Sequence, residues 1–377
     1  MSLDSLPHSV APIAERFSTE RQERQQRRHL EKADFDDLAR VGFTRAAVPI
    51  AQGGLWETLP AAARPICQGL RTLATGDSSV ALVCAMHPAV LSYWLVAADV
   101  ASPDPIWKAQ CETVFQSAQD GHWWGTLTSE PGSGGDVLQT RTRAQGGPPP
   151  TAYRLSGSKH FGSGSGMMSF MVTTALPDGE TEPDWFFLDM RDASWDGTEG
   201  LQLLAEWDGQ GMTATQSHAF EMDACPAVRI AWPGNLPHII SRTGGFIGCL
   251  FTSVVVGILD AVLRAADAQL RRAAMTPYQT VEWTRIQSEA WLVEQAFEGI
   301  LRAVESQTDS RSEVLLGKTA IAELAESMMT RVCRVCGGST FSRRSPFGFW
   351  FEDVRALGFL RPPWSLAFET LARSWPD

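Results

Sequence analysis

The sequence lacks an excess of positive charge, a spaced framework of cysteines and an apolar leader segment. It has 32 Lys and Arg against 43 Asp and Glu, a formal net charge of -11, which excludes a generally basic nucleic-acid-binding protein. Its seven Cys form no spaced framework of paired cysteines, as expected in a reducing cytoplasm. No basic segment leads into an apolar one near the first residue, so we predict no secretory signal and a cytoplasmic location.

Charged residues are also few, at 20%, whereas hydrophobic residues make up 44% of the 377 positions. This composition provides a large core and has too little polarity for disorder. Residues 246–263 carry a single charge, Asp260, and reach the length of a membrane-spanning helix. Because no aromatic belt or positive flank frames the run, we interpret it as the central helix of a bundle. We predict no membrane association.

The order of patterns along the chain predicts an α+β fold with three domains. Residues 1–120 are predicted to be an N-terminal α-helical domain. It contains a charge-rich amphipathic stretch with a solvated face over residues 13–38, a helical pair over residues 61–96, and a short helix ending near Ser117. No internal repeat is visible.

The other two domains are predicted because the spacing of hydrophobic residues changes at Gly121. Residues 121–235 contain short β-rich runs separated by Gly, Pro, Asp and Ser clusters, which predict a middle antiparallel β-barrel domain with an exposed hairpin tip at residues 146–150. Residues 236–377 regain helical periodicity in four blocks, to about 273 and over 280–306, 310–336 and 347–373. Four such helices predict a C-terminal four-helix bundle.

One Gly-rich segment in the β-region can form a binding loop. It is Leu127-Thr-Ser-Glu-Pro-Gly-Ser-Gly-Gly-Asp136, a strand end that turns through Pro131 and three glycines. Such a turn leaves backbone N–H groups and the hydroxyls of Thr128 and Ser129 free for a planar, acceptor-rich ligand. Taken alone, the segment is better explained as an ordinary Gly-rich turn.

A second segment, Leu155-Ser-Gly-Ser-Lys-His-Phe-Gly-Ser163, follows about 20 residues later. Together the two resemble the acyl-CoA dehydrogenase superfamily, whose middle domain carries a Thr-Glu-Pro-Gly-x-Gly-Ser-Asp loop and then a Gly-x-Lys strand. Further segments with the same resemblance lie at residues 38–54, 207–220, 335–338 and 346–353. The resemblance spans nearly the whole chain and implies a flavin-dependent oxidoreductase that acts on an acyl thioester or a similar small organic substrate.

The resemblance also implies which residues hold the flavin. Leu127, Thr128 and Ser129 should lie along the pyrimidine side of the isoalloxazine, Phe161 against the ring, and Ser163 at N5 or O4. Fixed N–H and O–H donors there stabilise the negative charge that a reduced flavin gains around N1 and O2. The implied cofactor is FAD, or alternatively FMN or a reduced flavin supplied by a reductase.

Three further positions are implied to complete the cofactor site from a neighbouring subunit. Gly337 and Gly338 would let the backbone approach the diphosphate or adenine end, and Arg271 is a weaker match for the arginine that pairs with the diphosphate. The protein is therefore expected to be a homodimer or a homotetramer. An electron-transfer flavoprotein or a flavin reductase is the implied redox partner.

The sequence departs from the family pattern at the positions of the catalytic base. The position of the usual Glu falls on Arg361, where Pro362 and Pro363 replace Gly-Thr, and the position of the alternative Glu falls near Ile247. An arginine cannot act as a base at neutral pH. Gly135 also replaces the Ser that helps to bind the CoA pantetheine. These departures weaken the case for acyl-CoA desaturation.

Such departures resemble the flavin monooxygenase branch of the superfamily, which uses reduced flavin and O2 and needs no α-proton base. His87 then resembles a histidine beside the flavin, although a histidine before Pro88 that bonds to backbone fits equally well. Arg361 is a candidate fixed cation for a substrate carboxylate or the flavin anion, or else a solvent-facing helix cap. A degenerate flavin-binding member without catalysis is the non-enzymatic alternative.

Other candidate side chains favour structural roles. His160 and His218 lie on predicted strands next to the flavin segments, where a hydrogen-bonded structural histidine is the better interpretation. Cys333 and Cys336 have the spacing of half a zinc site, but no second pair exists. We therefore predict no bound metal.

Overall fold

Helices enclose a small sheet, and the elements follow one another in the order helix, strand, helix. The computed structural model describes residues 2–96, 104–306 and 309–373. The predicted α+β fold is confirmed. The change from helix to strand falls between Gln119 and Trp124, and the change back between Arg229 and Leu236. The division into three domains stays a prediction, although these changes of element type fall close to its boundaries.

Six helices precede the sheet in the described residues: α1 Leu6–Thr19, α2 Arg21–Arg24, α3 Lys32–Arg40, α4 Leu59–Ala74, α5 Ser78–Leu95 and α6 Pro105–Gln119. The predicted pair is α4 and α5. Each begins at a side-chain cap: Thr58 Oγ1 accepts from the Ala61 N–H at 3.3 Å, and Asp77 Oδ1 accepts from the Val80 N–H at 3.0 Å.

The predicted continuous charge-rich stretch over residues 13–38 is instead parts of three helices, and its charged face is not all solvated. Arg24 is 5% exposed. Its guanidinium pairs with Asp34 at 2.8 Å and Asp77 at 3.1 Å, and stacks 3.5 Å from the centre of the Phe17 ring. The inward ion pairs bend the chain after α2, which the local charge pattern does not reveal.

The sheet has seven strands: β1 Trp124–Thr126, β2 Arg143–Gly146, β3 Ala152–Gly162, β4 Phe170–Pro177, β5 Asp184–Asp189, β6 Leu201–Ala205 and β7 His218–Arg229. Pairing runs from β4 through β2, β3, β7 and β5 back to β4, which closes a barrel. The sheet is not purely antiparallel as predicted, because β1 and β2 both pair parallel with one edge of β4. The β2–β3 hairpin carries the predicted exposed tip.

The last part contains three long helices and two short ones: α7 Leu236–Leu270, α8 Pro277–Ser306, α9 Arg311–Cys336, α10 Phe347–Phe359 and α11 Trp364–Arg373. The prediction of a fourth long helix over residues 347–373 is therefore wrong. This segment divides into α10 and α11 between Leu360 and Pro363, because two consecutive prolines cannot continue a helix. Trp364 closes the corner against Gly358, where an added Cβ would lie 2.1 Å from the indole.

The apolar run predicted to be a central helix is the middle of α7, and it lies inside the bundle. Its single charge, Asp260, pairs with Arg71 of α4 at 2.7 Å. Gly257 lets the two helices approach, since an added Cβ would lie 2.2 Å from the Arg71 carbonyl oxygen. By length and hydropathy, α5 and α7 are both capable of crossing a membrane, yet 89% and 83% of their apolar windows are buried within the protein.

Candidate functional site

A cavity of about 1440 Å³ opens where the first helices, the barrel and the last helices meet. One wall is apolar and comes from α5 and α7, with Met86, Tyr93, Ile247 and Phe251. The opposite wall is polar and comes from the loop over residues 128–138 and from β3. A large, mainly apolar cavity with a few convergent polar groups is the usual form of a small-molecule site.

Arg361 reaches from the α10–α11 corner to the polar wall. Its Nη2 donates to Ser129 Oγ at 3.1 Å and also to Thr128 Oγ1. Burial lowers the pKa of Arg361 from its usual value, with nearby Tyr93 and Asp136 acting in the opposite direction, and an arginine remains protonated at neutral pH. The alternative prediction of a solvent-facing helix cap is therefore wrong.

Lys318 fixes the corner that carries Arg361. It is 3% exposed on α9, and its ammonium donates to the carbonyls of Leu360 at 2.7 Å and Pro362 at 2.8 Å. Burial lowers its pKa to about 8. No sequence motif indicates Lys318, since its partners are backbone atoms more than 40 residues away.

Gly135 is in contact with the same corner. Its φ is +85°, and an added Cβ would lie 2.9 Å from Cγ and Cδ of Pro363. Gly135 replaces the Ser of the family pattern, and Pro363 belongs to the pair that replaces its Gly-Thr turn. These two departures therefore pack against each other. Both predicted base positions, Arg361 and Ile247, line the cavity.

The hydroxyls of the polar wall form two groups. Thr128 and Ser129 accept from Arg361, and neither hydroxyl has an acceptor among the described residues, so each proton is free for a ligand. Ser163 Oγ lies 2.8 Å from Ser217 Oγ, which lies 2.8 Å from Thr215 Oγ1. Ser217 and Thr215 were not singled out from the sequence.

Phe161 and Leu127 lie on the two sides of this wall. Phe161 has a φ of 57° and a side chain that is 58% exposed, with its ring 6.0 Å from Trp207. A positive φ in an aromatic residue is unusual and is often found at functional sites. Leu127 is fully buried behind the wall, and its N–H donates to the Val172 carbonyl at 2.8 Å.

Most carboxylates that line the described cavity already have partners. Glu130 accepts from the ammonium of Lys159 at 2.5 Å; burial opposes ionisation, but the hydrogen bonds from Lys159 and Thr140 lower its pKa to about 2, which makes it a poor base. Asp309 and Glu352 pair with Arg311 and Arg355, and Asp136 accepts from a turn N–H. Of the cavity-lining carboxylates among the described residues, only Glu313, which is exposed, has no hydrogen bond or ion pair.

Asp353 joins the three parts of the chain below the cavity. It accepts from Ser78 Oγ of α5 and from the Met212 N–H, both at 2.6 Å. Burial raises its pKa to about 6, against the two hydrogen bonds. Asp353 therefore holds the loop that ends at Ser217 against α5 and α10.

Two curated proteins are similar to this chain, whereas no known family profile matches it. The amino sugar nitrososynthase DnmZ of Streptomyces peucetius is 24% identical over 363 residues, covering 87% of this chain and 82% of that protein. The L-evernosamine nitrososynthase of a Micromonospora species is 24% identical over 376 residues, covering 94% and 85%.

Solved structures match over almost the full length. Butyryl-CoA dehydrogenase from Megasphaera elsdenii superposes with a TM-score of 0.84 at 16% identity, covering 99% of this chain and 98% of that one. The chain has the acyl-CoA dehydrogenase fold. FMN-bound TdsC from Paenibacillus sp. A11-2 has a TM-score of 0.82 at 18% identity, covering 98% and 96%. KijD3, solved with FMN and a dTDP-amino-keto sugar, also scores 0.82, at 19% identity, covering 99% and 93%.

The resemblance predicted from residues 127–136 and 155–163 is thus confirmed, and this fold brings several predicted site residues together. Thr128, Ser129, Phe161, Ser163 and Arg361 all line the one cavity. Leu127 contributes its backbone strand rather than a lining side chain. The predicted roles of these residues toward a flavin stay predictions.

His87 does not lie in the cavity, which corrects its prediction as a residue beside the flavin. The ring is fully buried in the middle of α5. Nε2 donates to the Thr44 carbonyl at 2.8 Å, and Nδ1 accepts from the Trp124 N–H at 3.1 Å. Burial lowers its pKa to about 4, with the bond to Thr44 acting the other way. The structure gives His87 the backbone-bonded role.

The three positions assigned to a neighbouring subunit's cofactor lie away from the cavity, together at one end of the bundle. Arg271 ends α7 and pairs with Asp267 at 2.6 Å. Gly337, with a φ of +76°, ends α9 and is followed by Gly338. Gln269 links the two ends by donating to the Cys336 carbonyl at 3.0 Å. This end of the bundle is exposed in the single chain.

The remaining candidates have structural partners. His218 Nδ1 accepts from the Trp207 N–H at 2.9 Å, and the His160 N–H donates to the Ser129 carbonyl at 2.8 Å. Cys333 and Cys336 are unpaired thiols on α9. Within residues 2–96, 104–306 and 309–373, no group of three or more His, Cys, Asp or Glu side chains is arranged to hold a metal ion.

Proposed function

We propose that this protein is a flavin-dependent monooxygenase that transfers one oxygen atom of O2 to a small organic substrate. The observation that carries the proposal is the pair of residues at the two family base positions. Arg361 and Ile247 both line the cavity, and neither is able to remove an α-proton. An oxygenation needs no such base, whereas acyl-CoA dehydrogenation does.

The polar wall fits a flavin. The free hydroxyl protons of Thr128 and Ser129 suit the carbonyl acceptors of a pyrimidine edge, and Ser163 adds a third hydroxyl held by Ser217. The exposed ring of Phe161 offers a flat apolar surface beside them. When bound in reduced form, a flavin supplies the two electrons that activate O2. Retention of this donor set argues against a degenerate member that has lost its cofactor.

The apolar wall has a separate task in this proposal. Met86, Ile247 and Phe251 exclude water from the face of the cavity opposite the hydroxyls. A dry site protects a reactive oxidant from hydrolysis and strengthens each hydrogen bond to it. Tyr93 places a phenol in that wall, and burial raises its pKa to about 12, so it remains a neutral donor.

The similar proteins favour the same chemistry. Two are named nitrososynthases, and TdsC is named a dibenzothiophene monooxygenase. TdsC and KijD3 were solved with FMN, so we favour reduced FMN delivered by a flavin reductase, with FAD as the alternative. We also propose a cytoplasmic location. We propose a homodimer or homotetramer, since Gly338 and Arg271 lie exposed at one end of the bundle and Gly337 is half-buried beside them.

Anaerobic reduction of the bound flavin tests the proposed oxygenation against acyl-CoA dehydrogenation, the main alternative reaction. The protein is loaded with oxidised FMN or FAD and mixed without O2 with butyryl-CoA and longer acyl-CoAs while the flavin absorbance is followed. We expect no bleaching in the wild type or in the double variant Arg361→Glu, Pro362→Gly, because Gly135 and Pro363 also differ from the family pattern. Rapid bleaching of the wild type by an acyl-CoA would refute the proposal, and a base such as Glu313 would then be sought.

A further inference from the structure

Two cations that have no carboxylate partner among the described residues line the cavity: Lys318, which is buried, and Arg361, which is partly buried. Four cationic side chains line it, and Arg311 and Arg355 pair with Asp309 at 2.9 Å and Glu352 at 2.7 Å. Lys318 and Arg361 have no ion pair among the described residues. Lys318 also binds the two backbone carbonyls that flank Arg361, those of Leu360 and Pro362.

The environment of this pair leaves its charge uncompensated. The partners of Arg361 are the neutral hydroxyls of Thr128 and Ser129. Glu130 is paired with Lys159. Tyr93 and then Asp136 favour the charged form of Arg361, but the Asp136 oxygens already accept from the Leu138 N–H at 2.9 Å and the Gln139 amide at 3.2 Å. No carboxylate oxygen of the described residues lies within 4.0 Å of either cation.

A cation that is removed from water without a counter-charge is costly, and the cost falls when an anion binds to it. Nε and Nη1 of Arg361 have no partner among the described residues, and Lys318 uses two of its three donors, so unused N–H groups remain. The unused N–H groups of an arginine fork match the oxygens of a carboxylate or a phosphate, and the ammonium of Lys318 adds a further cationic donor to the same cavity.

We infer that Arg361 and Lys318 form an oxyanion subsite that binds the acidic group of the substrate. The inference deepens the proposed function by giving its substrate class: a small organic molecule that carries a carboxylate or a phosphate. Gly135 lies beside this subsite, since an added Cβ would lie 3.7 Å from Cγ of Arg361.

Calorimetric titration with two matched pairs of probes tests the subsite. Benzoate is compared with benzamide, and dTDP with thymidine, on the full-length protein as purified and again after saturation with FMN. We expect at least one anion to bind about tenfold more tightly than its neutral counterpart, since a charge-assisted hydrogen bond contributes at least that factor. Preference for benzoate indicates a carboxylate substrate, and preference for dTDP indicates a phosphate.

Variants test whether the preference for the anionic probe over its neutral counterpart depends on Arg361 and Lys318. Arg361→Gln and Lys318→Met should abolish it, and Arg361→Lys should retain part of it. Arg355→Gln is the matched control: it removes a cavity arginine that already has a carboxylate partner, so the preference should persist. Circular dichroism confirms that each variant is folded.

Two results would overturn the inference. One is a wild-type protein that binds neither anion better than its neutral counterpart, with or without FMN. The other is a preference that survives in folded Arg361→Gln. Since binding is measured without reductant or turnover, these results are independent of whether the protein oxygenates a substrate.

Discussion

Gly135 and Pro363 meet at the edge of the cavity, so closely that an added Cβ on the glycine would lie 2.9 Å from the proline ring. The two residues are 228 positions apart in the chain, and each replaces a residue of the pattern that the sequence otherwise resembles. Their contact shows that the two replacements form one altered corner, with Arg361 and Lys318 beside it.

Restoring the family serine at this corner should therefore destabilise the protein. Gly135→Ser introduces both backbone strain at a φ of +85° and a clash with Pro363. Gly134→Ser is the control, because its φ is +61° but no atom lies within 4 Å of an added Cβ. We expect the urea midpoint to fall in both, with an extra loss of about 1–3 kcal/mol in Gly135→Ser. Equal losses would show that the Pro363 contact is unimportant.

Ser163 should contribute directly to flavin binding. Ser163→Ala removes a hydroxyl from the polar wall and should weaken FMN binding by about 1–2 kcal/mol, measured by fluorescence titration. Ser165→Ala is the matched control: this hydroxyl is equally buried, donates to the Gly162 carbonyl and lies outside the cavity. An unchanged FMN affinity in Ser163→Ala would remove this wall from the flavin site.

His87 should affect the pH dependence of stability rather than the chemistry. Its folded pKa of about 4 lies below the usual 6.5, so the unfolded chain takes up the proton first as the pH falls. The stability that neutral His87 contributes above pH 6.5 is therefore lost between pH 6.5 and 4, by about 3 kcal/mol.

A comparison with His87→Gln isolates this loss. Unfolding free energies are measured from pH 7.5 to 4, and the difference between wild type and variant should narrow as the pH falls. The pH profile of turnover should keep its shape in the variant, because His87 lies outside the cavity. A difference that stays constant with pH would contradict the buried, backbone-bonded assignment.

Much of the fold follows from local patterns, whereas the altered corner does not. The Gly-rich loop at residues 127–136 and the strand that ends at Ser163 carry enough local information to indicate the fold and most of the polar wall. We predicted a single helix from the periodicity of residues 347–373, because that interpretation gave too little weight to Pro362 and Pro363. No local pattern links Lys318 to the Leu360 carbonyl or Gly135 to Pro363, since both contacts join distant parts of the chain.

Long-range pairing also explains the errors in the sheet and at the N-terminus. Alternation within a strand indicates which face is buried but does not give the direction of its neighbours, so the parallel pairing of β1 and β2 with β4 was missed. Arg24 belongs to a run that is typical of a solvated helix face. Its burial depends on Asp77, which lies 53 residues away.

Isotope transfer from 18O2 tests the central claim most directly. The protein is mixed with chemically reduced FMN and 18O2 in the presence of catalase, together with candidate substrates that include an amino sugar nucleotide, indole and aromatic carboxylates. The account predicts a product that carries one 18O atom, formed only with the protein and reduced in yield by Arg361→Gln when the substrate is anionic. Products that have lost two hydrogens and carry no 18O, and that also form without O2 when oxidised FMN replaces reduced FMN as the electron acceptor, would contradict it.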